Sequence, residues 1–178
     1  LAEPIPGMPL ELEAEPMGML FALIASFLWI VTTLYAIGYM RGHHEKNQTR
    51  FFMCFPISIG AALGMAYSGN LFTLFIFYEI LTLSTYPLVA HKETEDAKRG
   101  ARIYLGILLA TSVGLLLPAI VTTCVMTGTT DFAAGGILAG HVSPMVATIL
   151  LALFMFGVGK AALMPFHKWL PSAMVAPT

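Results

Sequence analysis

Residues 71–90 read LFTLFIFYEILTLSTYPLVA, an apolar run broken near its centre by one carboxylate, Glu79. At a helical rise of about 1.5 Å per residue, such a run reaches roughly 30 Å, the thickness of the hydrocarbon layer of a bilayer. It lacks the apolar–polar alternation of a half-buried strand, so it predicts a helix that crosses a membrane. Glu79 then sits near the midplane. A carboxylate at that depth costs roughly 2.5–3.5 kcal/mol on insertion scales, and it persists where a partner or a water-lined cavity receives it.

Working outward, residues 17–40, 51–68, 103–127 and 145–164 are also apolar and long enough, or nearly so, to span. None alternates with a period of two, which argues against a transmembrane barrel. The expected fold class is all-α: a polytopic transmembrane helix bundle of about five spans with a broken last helix. Composition agrees, with 57% hydrophobic and 11% charged residues against about 25% charged in soluble domains. The net charge of −1 supplies no field for nucleic acid or a charged macromolecular substrate.

The few charges set the orientation. Arg41, Lys46 and Arg50 separate the first two spans, Lys92, Lys98, Arg99 and Arg102 separate the third and fourth, and Lys168 follows the fifth. The connections around Gly69 and over residues 128–144 hold no Lys or Arg. The positive-inside rule therefore puts the basic connections in the cytoplasm. Residues 1–16, with Glu3, Glu11, Glu13 and Glu15, form an extracytoplasmic lead-in, and the loop bearing Asp131 and His141 shares that side. Pro4, Pro6 and Pro9 predict an irregular lead-in, and the lack of a basic n-region excludes a secretory signal. The chain starts at Leu1 and closes on Val175, Ala176, Pro177 and Thr178 without a polar tail, so both ends read as cut.

Cys54 and Cys124 fall near opposite membrane faces, too far apart for a disulfide. The five histidines, His43, His44, His91, His141 and His167, show no metal-binding spacing, so neither metal nor cofactor is expected. Gly60 with Gly64, and Gly106, Ala110 and Gly114, have the spacing of helix-contact ridges. Pro56 and Pro118 predict kinks.

Lys160 is the second ionisable residue at membrane depth. It follows Phe156-Gly157-Val158-Gly159 inside the last span. The glycine spacing, and Ala161 where a phosphate loop needs a hydroxyl, exclude nucleotide binding. The bland alternatives are a protonated Glu79 and a Lys160 whose stem snorkels to the interface. Paired in one small bundle, the two offset each other's desolvation, and their titrations couple as a relay or ion-coupled switch requires. Glu79, Thr82 and Tyr86 form an i, i+3, i+7 polar stripe toward the cytoplasmic end, either a hydrated proton path or bonds to neighbouring helices. Pro165 and Pro171 break any helix running past Lys160, as in transporters whose broken helices line cavities. Trp169 and Lys168 read alternatively as interfacial anchors.

Tyr39-Met40-Arg41-Gly42, the run from Asn70 through Phe77-Tyr78-Glu79, and above all Gly159-Lys160-Ala161 followed by Pro165-Phe166-His167-Lys168-Trp169-Leu170-Pro171-Ser172-Ala173-Met174 and Pro177-Thr178 carry a resemblance. Over almost its whole length the chain resembles the proton-conducting membrane subunits of respiratory complex I, a family that includes the large subunits of Mrp-type cation/proton antiporters and of membrane-bound hydrogenases. The resemblance implies that Glu79 matches the glutamate of the fifth family helix and Lys160 the lysine of the discontinuous seventh, a charge pair in proton translocation. It also implies that residues 17–178 are part of a longer proton-conducting domain built from inverted repeats. Family histidines and a second lysine lie beyond this segment, so the segment alone is not expected to conduct.

Three readings follow. The first is a proton-translocating, antiporter-like subunit of a multi-subunit complex in a bacterial-type inner membrane, moving protons alone or in exchange for sodium or potassium. Here Lys160 changes protonation, Glu79 biases it, and Thr82 and Tyr86 with water supply the path. The second, a redox catalyst, finds no cysteine cluster and no dinucleotide fingerprint here, so any electron transfer of an NADH:quinone oxidoreductase-type complex belongs to other subunits. The third is a non-transporting membrane scaffold.

Overall fold

Asn70 shows how the bundle is tied at one end. Fully buried, it caps the helix that follows, its Oδ1 accepting from the Thr73 N–H at 2.8 Å, while its Nδ2 donates to the Pro9 carbonyl at 2.8 Å. The same side chain thus starts a membrane helix and holds the lead-in against it.

The computed structural model describes residues 2–5 and 8–174. Two short antiparallel strands, β1 (Ala2–Ile5) and β2 (Met8–Leu10), precede helices α1 (Pro16–Gly42), α2 (Gln48–Ala66) and α3 (Leu71–Val89). Next comes a 33-residue helical rod over residues 95–127, made of α4 (Glu95–Thr111), a π-helical turn (Ser112–Leu116) and α5 (Leu117–Thr127). After a long loop follow α6 (Pro144–Gly157), 3-10 turns at Gly159–Ala161 and Phe166–Lys168, and a short α7 (Trp169–Ala173). Four of these, α1, α2, α3 and the rod, are long and apolar enough to cross a membrane. The all-α polytopic bundle is the fold observed.

The lead-in differs from expectation. Its described part pairs as β1 and β2, with Ile5 opposite Met8, and the Leu12–Ser68 bridge and the Gly69 N–H bonded to the Glu11 carbonyl at 3.0 Å attach it to the α2–α3 turn. Prolines deny a strand some donors but not its acceptors, so a two-stranded ribbon tolerates them. Pro6 and the closing residues 175–178 lie outside the described residues.

The connections gather at opposite ends, as the charge pattern requires. At the acidic end, the Leu71 N–H bonds to the Thr130 carbonyl at 2.9 Å and the Phe132 N–H to the Gly69 carbonyl at 3.2 Å. At the basic end, Arg50 reaches across to the α3–α4 turn, with Nη1 2.6 Å from Glu93 Oε1 and Nη2 donating to the His91 carbonyl at 2.9 Å.

The rod begins eight residues before the apolar stretch that announced it, because Thr94 caps the Ala97 N–H at 3.2 Å and Glu95 and Asp96 favour the first turn. Pro118 does not simply kink it. Proline has no N–H for the carbonyl four residues back and its ring crowds that carbonyl; the π-helical turn immediately before it widens the register, and the Leu117 N–H bonds to the Ser112 carbonyl instead.

Of the glycine ridges, only Gly64 is tight, where an added Cβ would strike the Phe77 ring; Gly60, Gly106 and Gly114 meet nothing within 4 Å. The close approaches fall on Gly157, which lies against the Leu116 backbone, and Gly159, which lies against Thr111. Most large apolar side chains of α1 point outward, Met17 being 83% exposed, as suits a helix whose solvent is lipid.

Candidate functional site: a lysine at a broken helix

The helix predicted over 145–164 ends at Gly157. Its 14 residues reach roughly 21 Å, short of a full crossing. The break comes before Lys160, upstream of the prolines expected to cause it. Two glycines allow it: α6 packs so closely on the π-helical turn that position 157 has no room for a side chain, and Gly159 continues that contact onto Thr111. Beyond the 3-10 turn Ala162 takes a left-handed conformation, φ 53°, and the chain turns away.

Backbone groups freed inside a membrane need partners. Here α3 and α7 supply them. The Lys160 N–H donates to Tyr78 Oη at 3.1 Å, and the Gly159 carbonyl accepts from Trp169 Nε1 at 2.8 Å. The Trp169 indole, read from the sequence as an interfacial anchor, is thus bonded to the broken segment. Its ring packs edge-on against Tyr104 at 5.6 Å, in the cluster of Val89, Ala101, Tyr104 and Leu108.

The Lys160 side chain turns onto α3. Its Nζ donates to Thr82 Oγ1 at 2.5 Å and to the Tyr78 carbonyl at 3.3 Å, and sits 3.8 Å from the centroid of the Tyr78 ring. Tyr78 and Thr82 are buried, at 2% and 0% exposure, so the ammonium rests on desolvated neutral acceptors and an aromatic face rather than in water. That arrangement replaces snorkelling.

Glu79 is brought near but not into contact. Among the described residues the ion pairs are Arg50–Glu93 and Lys98–Glu95, with the His91 imidazole 3.9 Å from Glu45, and none joins Glu79 to Lys160. Glu79 Oε1 is buried without a hydrogen-bond partner. Of the predicted polar stripe, Thr82 touches Lys160 directly, whereas Tyr86 packs on the Val89–Leu108 cluster. Sequence reasoning missed the hydroxyl pair Thr85 Oγ1–Tyr104 Oη, 2.6 Å apart. It also missed the roles of Tyr78 and Trp169. Tyr78 is adjacent to Glu79, and Trp169 lies in the most specific stretch of the resemblance, so both were visible, Tyr78 without a role and Trp169 only as an interfacial anchor.

A multi-pass bundle whose last helix is interrupted beside a half-buried lysine defines a class: integral membrane proteins of the broken-helix kind. The NADH:quinone oxidoreductase/Mrp antiporter transmembrane family matches residues 68–178, and the chain belongs to it. A probable K+/H+ antiporter protein of Rhizobium meliloti is 32% identical across 97% of this chain and 17% of its own length. Hydrogenase-4 component B of Escherichia coli is 30% identical across 97% of this chain and 25% of its own. Among solved structures, the membrane-bound sulfane sulfur reductase, an archaeal respiratory membrane complex, superposes with a TM-score of 0.63 at 32% identity, over 71% of this chain and 26% of the other. The Mrp complex from Dietzia sp. gives 0.62 at 25% identity, over 72% and 14%. The chain spans a quarter or less of the length of these two curated relatives.

Proposed function

We propose that the protein containing this chain is a proton-translocating, antiporter-like subunit, in which Lys160 takes up and releases a proton and Glu79 biases that step. The observation that carries the reading is the seat of Lys160: a flexible amine at a helix break, half-buried, held by Thr82 Oγ1 and the Tyr78 carbonyl rather than locked in an ion pair. Neutral acceptors hold the ammonium without fixing its proton. One relative is named for potassium/proton antiport, which supports protons as the translocated ion, with sodium or potassium as exchange partner. The partners would be further membrane subunits, in a bacterial-type inner membrane. Thr82 and Tyr86 remain the proposed proton path, Thr82 at the lysine itself.

The test is proton flux in vesicles carrying the full-length protein in its complex, comparing Glu79→Gln and Lys160→Ala with wild type at matched assembly. Loss of flux in both supports the relay; imposed sodium or potassium gradients then separate pump from exchanger. Undiminished flux in both overturns it and leaves the scaffold reading.

A further inference from the structure

We infer that Tyr78 and Trp169 are positioning residues that clamp the two sides of the break in α6 and so fix where the Lys160 amine can reach. The inference rests on Lys160 as the proton carrier, and it concerns residues that make no proton transfer themselves.

At the break, side chains from two other elements reach the donor and the acceptor of one peptide unit, whose Gly159 carbonyl also accepts from the Ala162 N–H at 3.0 Å. Tyr78 Oη receives the Lys160 N–H at 3.1 Å, and Trp169 Nε1 donates to the Gly159 carbonyl at 2.8 Å. These contacts come from opposite directions, Tyr78 from α3 and Trp169 from α7, and they bracket the peptide bond joining Gly159 to Lys160. Each clamp residue is itself fixed. Tyr78 is 2% exposed, and Trp169 rests edge-on against Tyr104, whose hydroxyl is 2.6 Å from Thr85 Oγ1. The segment they hold has little regular structure of its own: a three-residue 3-10 turn followed by Ala162 in a left-handed conformation.

Tyr78 acts twice. Its hydroxyl holds the Lys160 backbone while its ring face and carbonyl receive the ammonium, with the Nζ 3.8 Å from the ring centroid and 3.3 Å from the carbonyl. Backbone and side chain of the lysine are therefore referenced to the same residue of α3. Loss of the Tyr78 bond leaves the Lys160 N–H unsatisfied at membrane depth, and loss of the Trp169 bond leaves the Gly159 carbonyl only its 3.0 Å bond from the Ala162 N–H, so in either case the segment is freer to shift. A shift of about 1 Å suffices to take a positioned group out of productive geometry. The Lys160 amine would then exchange protons at a different pH and rate, although every proton-bearing group remains.

The experiment uses the full-length protein in its complex, with Tyr78→Phe, which keeps the ring and the carbonyl, and Trp169→Phe, which keeps an aromatic ring beside Tyr104. Two quantities are read: the pH profile of proton flux, and backbone hydrogen exchange of the peptide covering residues 158–162. Both variants are expected to raise exchange there, to lower flux several-fold and to displace the profile by about half a pH unit or more. If Trp169→Phe fails to assemble, replacing Trp169 by its benzothiophene analogue, which exchanges only the N–H for sulfur, must give the same displacement. An unchanged exchange rate, or faster exchange with an unmoved pH profile, overturns the clamp. Undiminished flux in a parallel Lys160→Ala complex instead overturns the relay on which it rests, so the two failures are distinguishable.

Discussion

The close seating of α6 on the π-helical turn gives the sharpest prediction. A Cβ added at Gly157 would lie 2.6 Å from the Leu116 nitrogen and 2.8 Å from its Cα. Ordinary contact between such atoms is about 3.5–4.0 Å, so Gly157→Ala requires α6 to withdraw by roughly 1 Å. The obstacle is helix backbone, with no side chain to rotate aside, and overpacking of this kind costs about 1–3 kcal/mol, roughly 5- to 150-fold in a folding equilibrium. The same withdrawal carries Lys160 with it, loosening bonds of 2.5 Å and 3.3 Å to α3. The purified complex would be titrated with denaturing detergent and the unfolding of this subunit followed, with Gly106→Ala as baseline because position 106 meets nothing within 4 Å in this chain. Gly157→Ala should unfold at lower detergent and transport less. Stability indistinguishable from Gly106→Ala would refute the argument that the glycine exists for close approach.

Other expectations follow from single contacts. Thr82→Val removes the hydroxyl under the Lys160 ammonium; hydrogen bonds to charged groups are worth about 1.5–3 kcal/mol, so flux should fall roughly tenfold or more, with Thr82→Ser restoring most of it. Asn70→Ala loses the cap on α3 and the bond to Pro9, costing about 1 kcal/mol and raising hydrogen exchange over residues 8–13. At the basic end, burial first and then the Arg50 guanidinium hold the His91 imidazole below its ordinary range, partly opposed by Glu45 and Glu93. The folded protein then binds this proton less readily than the unfolded chain, so there is no penalty well above about pH 6.5 and a growing one as pH falls below it. The unfolding midpoint should drop between about pH 7 and 5 in wild type and drop less in His91→Gln. An equal drop in both would remove His91 from the account.

The crossings were legible because membrane insertion demands long apolar runs, and the charge pattern grouped the connections correctly because charge is what cannot be left in lipid. Boundaries governed by polar detail were less visible. The rod reaches back to Glu95 through a threonine cap, a local signal outside the apolar window. The end of α6 was hidden more thoroughly, since hydropathy continues through Met164 while helicity stops at Gly157. What stops it is the approach of Leu116, a residue 41 positions away. Glycine spacing pointed to Gly60, Gly106 and Gly114, which are open in this chain, because periodicity identifies a face without saying what lies opposite. Glu79 and Lys160 were found by their cost in the bilayer. The residues that hold Lys160 were not, since Tyr78 and Trp169 carry no charge and look at home in an apolar helix.

The separation of Glu79 from Lys160 bears on how the proposed relay would work. A buried ion pair in direct contact favours the charged forms of both members, and breaking it by removing one partner costs about 3–5 kcal/mol. A lysine held that way releases its proton reluctantly. Lys160 instead rests on Thr82 Oγ1, the Tyr78 carbonyl and the Tyr78 ring, which neither titrate at ordinary pH nor leave the site when it loses its proton. The Thr82 hydroxyl donates to the Tyr78 carbonyl at 2.9 Å while it accepts from Nζ, and it can redirect that proton to the nitrogen as the ammonium becomes an amine, exchanging one bond for another. In the proposed relay Glu79, which makes no ion pair with Lys160, would contribute through its field rather than through a bond. A modest displacement of Glu79 toward or away from Lys160 would then alter the bias without breaking any bond at the lysine, so that in the proposed relay Glu79 is the input and Lys160 the responder.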